Sequence, residues 1–236
     1  MRRRALLTIF VILLLIGAYG AYVVSYPKYP EVKGCVNPFA VVKPVARIQE
    51  NWSKAHMFFK LSTTRDFWKL AKPWNVDYSH VKIVKHTIEY NGEKITMLAM
   101  GIPLKDKKHV IALYEFSKPV QGVKVKSYLF EIRDNNVTIR KATTNGYAIQ
   151  VSSCTHECSS NSDCGYMEQC DPYICSTDWV GVYKCCGETC WLPCLAGLTG
   201  NPIPTIACIT CLSAACPLWC IDQNSEYGSR CVPFHR

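Results

Sequence analysis

The stretch CCGETCWLPCLAGLTGNPIPTIACITCLSAACPLWC, Cys185 to Cys220, decides how this chain is read. It holds eight of the fifteen cysteines, and no charged residue falls from Thr189 through Ile221. An uncharged run of this length belongs in a packed core or in a bilayer, and a spanning helix needs about 20 nearly continuous apolar residues. Pro193, Gly197, Gly200, Pro202, Pro204 and Pro217 interrupt it, so it reads as an apolar hairpin stapled by disulfides. Cys186, Cys190 and Cys194 share one stripe of a helix, and Cys208, Cys211 and Cys216 form a second, looser one. If the chain turns back near Gly200-Asn201-Pro202, facing positions have numbers of near-constant sum. That register pairs Cys194 with Cys208, Cys190 with Cys211 and Cys186 with Cys216. Each such bridge stabilises by about 2–4 kcal/mol. Gly187 and Pro193 weaken the first helix of this hairpin.

Working outward, Cys154, Cys158, Cys164, Cys170, Cys175, Cys185, Cys220 and Cys231 join those six, which puts fourteen cysteines in residues 154–236. That density is typical of a disulfide scaffold in an oxidising compartment. Cys35 stands alone outside it. The polar, turn-rich part of the tail up to Asp178 reads as loops held by bridges. A zinc site needs two short paired knuckles, and only Cys208-x2-Cys211 has that spacing, so no metal is expected.

Upstream of the tail the hydrophobic period is two. His80–Tyr90, Lys94–Leu104, His109–Phe116, Val123–Arg133, Val137–Ala142 and Tyr147–Val151 read as strands. Asn91-Gly92 is a strong hairpin signal between the first two. Strands joined by such short turns form an antiparallel meander. Arg47–Leu61 and Thr64–Ala71 have helical spacing and would cover one face of the meander, with the other face in water. Tyr26 to Pro44 carries four prolines and reads as an extended linker. At the N-terminus, Arg2, Arg3 and Arg4 precede the apolar run Ala5–Val24, whose 20 residues suffice for a membrane helix with the rest of the chain outside. A cleaved signal peptide ending near Ala18-Tyr19-Gly20 is the rival.

The expected fold class is therefore α+β: an N-terminal membrane helix, helices packed on an antiparallel meander, and a disulfide-rich tail with a helical hairpin. The expected boundaries are 1–26 (signal anchor or signal peptide), 27–44 (Pro-rich linker), 45–152 (meander domain) and 153–236 (cysteine-rich domain).

The formal charge of +9 is unevenly spread. Residues 27–153 hold 21 Lys+Arg against 10 Asp+Glu, and residues 154–236 hold 3 against 8. The basic segment could dock on the acidic tail, or each could be a separately solvated surface. Its lysines are not interleaved with aromatics as a nucleic-acid platform requires, so no nucleic acid is expected. Among the six histidines no HExxH occurs, and GxSxG is absent, so neither catalytic residues nor a cofactor are expected. Asn51 and Asn136 open N-x-S/T sequons, which suits an exterior location.

The leader, GIPLKDKKHVIALYEF (101–116), TTNGY (143–147) and CCGETCWLPCLAGL…IACITCLSAAC together resemble precursors of halocin C8-type archaeal peptide antibiotics. The resemblance implies a leader, an immunity domain and a compact C-terminal cysteine-rich peptide. On that basis the tail would be membrane-active through Trp191, Leu192, Ile209, Leu212, Leu218 and Trp219, and the basic segment would mask it. The other expectation is a non-toxic, anchored cell-surface binding or structural module whose uncharged stretch is simply its core. Both place the protein at a membrane or in the medium, outside the cytoplasm.

Overall fold

A computed structural model describes residues 38–133, 136–186, 190, 194, 205–216 and 218–233, without the side chains of Leu218 and Trp219. The expected membrane run 5–24, Cys35, Trp191 and Leu192 lie outside these residues. Among the described residues no helix is long and apolar enough to cross a membrane.

Seven strands form one antiparallel sheet in sequence order: β1 (Lys43–Gln49), β2 (Lys82–Tyr90), β3 (Glu93–Pro103), β4 (His109–Val120), β5 (Val123–Arg133), β6 (Asn136–Thr144) and β7 (Tyr147–Gln150). The meander follows from its turns. Asn91-Gly92, Gln121-Gly122 and Asn145-Gly146 all have positive φ at both positions. That conformation is the two-residue turn whose twist matches the flanking strands. β1 was not expected. Pro44, and a strand in which every residue is exposed, hide the alternation that would mark it. It occupies an edge and pairs with β2 from Lys43↔Glu89 to Gln49↔Val84. The helix expected from Arg47 starts only at Lys54, where the Ser53 side chain caps it by accepting from the His56 N–H. Nor is the end of the expected linker free, since Phe39 and Val42 are buried in the core.

Both faces of the sheet are covered. Helices α1 (Lys54–Thr63) and α2 (Arg65–Leu70) lay Met57, Leu61, Phe67 and Leu70 on Ile83, Met100, Ile102, Ile111 and Leu113. The other face, expected in water, is buried by the tail. Helix α4 (Ile206–Ala215) lies against Val84, Ile88, Met97, Ala99, Ala112 and Tyr114, and α3 (Trp179–Cys186) adds Trp179, whose ring meets Phe130 edge-on at 5.1 Å. This core crosses the expected boundary at residues 152/153, so the meander and the tail are one packed body. The first tail segment is more regular than the expected loops. Strand β8 (Glu168–Thr177) pairs antiparallel with β9 (Ser225–Pro233), and α5 (Leu218–Gln223) precedes β9.

Seven disulfides close the tail. Cys186–Cys216, Cys190–Cys211 and Cys194–Cys208 are those of the hairpin register, and Cys185–Cys220 extends the series. Cys154–Cys175, Cys158–Cys170 and Cys164–Cys231 hold the β8–β9 region. α3 ends at Cys186, and most of the expected first arm and its turn, residues 187–189, 191–193 and 195–204, lies outside the described residues.

The closest approach of tail and sheet is at Gly101. A Cβ there would lie 2.1 Å from the Thr210 carbonyl oxygen of α4, so only glycine lets the helix backbone reach β3. Replacing Gly101 by Val is expected to lower stability by at least about 1–3 kcal/mol, the usual cost of overpacking, because backbone on both sides has to move. Denaturant unfolding of the oxidised protein measures it.

Candidate functional site

Of the tail residues expected to face a membrane, two have described side chains. Ile209 and Leu212 are fully buried, and from Cys208 to Cys216 every residue of this arm is buried. The expectation that these two side chains face lipid is therefore corrected: the sheet occupies the face they would have offered. The side chains of Trp191, Leu192, Leu218 and Trp219 lie outside the described residues.

Polar groups fix the junction at two places. At the C-terminal end of α4, His86 Nε2 donates to the Ala214 carbonyl at 2.8 Å and Arg47 donates to the Ala215 carbonyl at 2.7 Å. These carbonyls are among those a helix end leaves unsatisfied, and a cation beside them also favours the helix dipole. His86 and Arg47 are cross-strand partners on β2 and β1, which is why both reach the same helix end. Burial, together with the nearby Arg47 charge, pulls the His86 pKa below its ordinary value, against the hydrogen bond to Ala214 that raises it.

The second place is Lys126 on β5. Its side chain is fully buried, 2.7 Å from Asp171 Oδ1 on β8 and 2.9 Å from Thr144 Oγ1, and it also donates to the Pro172 carbonyl. Thr144 in turn donates to Asp171 Oδ2 at 2.8 Å. Basic segment and acidic tail thus meet here through a buried, fully hydrogen-bonded ion pair.

Among the described residues, a few clusters carry groups of catalytic or metal-ligating type. His80 pairs with Asp77 and His109, at the start of β4, with Asp106, both at 2.7 Å and both three residues apart. The Sγ atoms of Cys158, Cys164 and Cys231 lie within 4.8 Å of one another, but each belongs to a disulfide and offers no thiolate. A cleft of about 290 Å³ between α1 and the sheet is lined by Trp52, Lys85 and Lys124, and by the Lys60–Glu115 ion pair of 2.5 Å.

The other distinctive surface is the outward side of α1, α2 and the 3-10 turn Pro73–Asn75. With Met57, Leu61, Phe67 and Leu70 already filling the core, Phe59 (69% exposed), Trp74 (58%), Phe58 (45%) and Trp68 (36%) are left facing out. Phe58, Trp68 and Trp74 also make ring contacts. Phe58 meets Tyr78 at 6.2 Å between centroids, and the Tyr78 hydroxyl donates to the Pro73 carbonyl. Trp74 meets Trp68 edge-on at 5.7 Å, and Trp68 Nε1 donates to Ser62 O at the end of α1. Lys72 Nζ sits 4.7 Å from the Trp68 ring. Helical spacing puts Ile48, Trp52, Met57, Phe58 and Leu61 roughly on one face, and Phe67, Trp68, Leu70 and Ala71 on another, whereas Ile48 lies exposed on β1. Phe58 and Trp68 turn outward because the helices are short and a two-turn stripe holds only two or three core positions. The excess of aromatics over core positions in residues 52–74 was the available signal.

Substitutions at Lys126, Asp171 and His86 test the junction. Lys126→Met leaves Asp171 buried without its cation and is expected to cost about 3–5 kcal/mol, part of which returns in Lys126→Met/Asp171→Leu. A thermal denaturation series reads both. For His86 the folded pKa is lowered, so the unfolded chain binds the proton more readily. Its contribution to stability is complete above about pH 6.5 and is lost as pH falls towards the lowered folded value. His86→Gln, which keeps a donor and removes the titration, is expected to flatten denaturation midpoints below pH 6.5 relative to wild type. No family model matches the chain, and no curated protein or solved structure matches it, so the chemistry of these two surfaces is the guide to function.

Proposed function

We propose that this chain is a non-catalytic extracytoplasmic module, held at a membrane by residues 5–24, in which the disulfide tail is a permanent structural layer. The single observation that carries this reading is the seating of α4. Eight of its ten residues are buried, and they cover sheet residues such as Met97, Ala112 and Tyr114 that would otherwise be bare to water. A peptide destined for release would leave that apolar face behind. Seven disulfides suit an extracellular protein. Asn51 and Asn136, both exposed, are the proposed glycan acceptors.

The precursor reading has one observation in its favour. The basic segment grips the tail through Lys126, Arg47 and His86, as a mask over a membrane-active peptide would. Non-reducing intact mass of the chain's products, in membranes and in medium, separates the two. A single species that includes the segment Cys154–Val232 in covalent continuity with the sheet, confined to membranes, is expected. A released fragment beginning near Cys154 and carrying seven bridges would replace the module with the precursor.

A further inference from the structure

We propose that the aromatic and basic surface of α1, α2 and the Pro73–Asn75 turn docks on the headgroup region of an anionic lipid bilayer. The aromatics are surplus to the core, as their exposures of 36–69% show, and they lie on the opposite side of the sheet from the tail. Tryptophan favours the membrane–water boundary, where a flat apolar ring with one polar edge is matched on both sides. Trp68 already satisfies its N–H internally on Ser62, so its indole asks for no polar partner. The charge around these rings is predominantly positive. Residues 52–80 contain Lys54, Lys60, Arg65, Lys69 and Lys72 against Asp66 and Asp77, and Asp66 is buried. Lys54, Arg65, Lys69 and Lys72 are all exposed. Cations ringing aromatic side chains complement a surface of phosphates, where each basic residue adds to the attraction within a Debye length. A cationic or hydroxyl-rich partner would call for exposed carboxylates here, and Asp77 is already engaged by His80.

The docking rests on the proposed module only in that residues 5–24 would bring the surface near a bilayer; its chemistry is independent of the tail's fate. The test uses the full chain reconstituted into vesicles of brominated phosphatidylcholine, with and without phosphatidylglycerol, reading quenching of tryptophan emission. Intact mass of the same samples, checked first, reports any loss of the tail separately. Quenching about twofold stronger in the anionic vesicles is expected. It should fall to the zwitterionic level in Lys69→Glu/Lys72→Glu and lose its anionic component in Trp68→Phe/Trp74→Phe. Thermal melts confirm that these surface variants fold, and Trp74→Phe alone serves if the double variants do not. Equal quenching in both lipids would overturn the proposal. So would an anionic component that survives removal of both indoles, since the lipid would then be meeting other tryptophans.

Discussion

The backbone of α4 rests on β3 at Gly101, and most of the architecture follows from that approach. A sheet of seven strands with alternating side chains has two apolar faces once Met97, Ala99 and Ala112 point one way and Met100, Ile102 and Ile111 the other. α1 and α2 can cover only one of them. The second needs an apolar element close enough to exclude water, and the missing Cβ at residue 101 lets an uncharged helix settle there. Near-complete burial of the helix explains its composition: Ile206–Ala215 has no amphipathic face because nearly every side is in contact with protein.

An apolar contact of this kind is strong but indifferent to exact placement, and the polar groups at the junction supply the missing specificity. His86 and Arg47 reach only the last carbonyls of the helix, so they fix how far α4 slides along the sheet. The Lys126–Asp171–Thr144 group fixes where β8 crosses β5 and β6. A buried ion pair contributes little net stability compared with an apolar substitute, but the wrong alignment would strand a charge without its partner. Among the described residues, the outward side of α1 and α2 is left exposing a group of aromatic rings among cations.

Much of this was legible in the chain, for identifiable reasons. The turns at Asn91-Gly92 and Asn145-Gly146 locate strands because few residues accept positive φ. The bridges Cys194–Cys208, Cys190–Cys211 and Cys186–Cys216 follow from antiparallel register, which is arithmetic once the reversal point is known. What was not legible depends on distant partners. β1 lacks any buried side chain to mark it, and β8 reads as loop because its partner residues lie 48 to 65 positions downstream. Ile209 and Leu212 look the same in sequence whether they meet lipid or Tyr114. The meaning of Gly101 appears only once Thr210 is beside it.

The four bridges of the second half of the tail are nested. Their separations are 14, 21, 30 and 35 residues, each enclosing the last. Loop-closure entropy rises only with the logarithm of loop length, and once an inner link exists the next pair is separated by a handful of residues rather than by the whole arm. Oxidation from the tip outward therefore resembles a zipper, in which each closure sets up the next and mispairing is penalised by the longer loops it demands. The same concentric arrangement makes the tip mechanically redundant. A single backbone cut between Cys194 and Cys208 would leave both arms joined by every one of these links, and α4 still seated on the sheet.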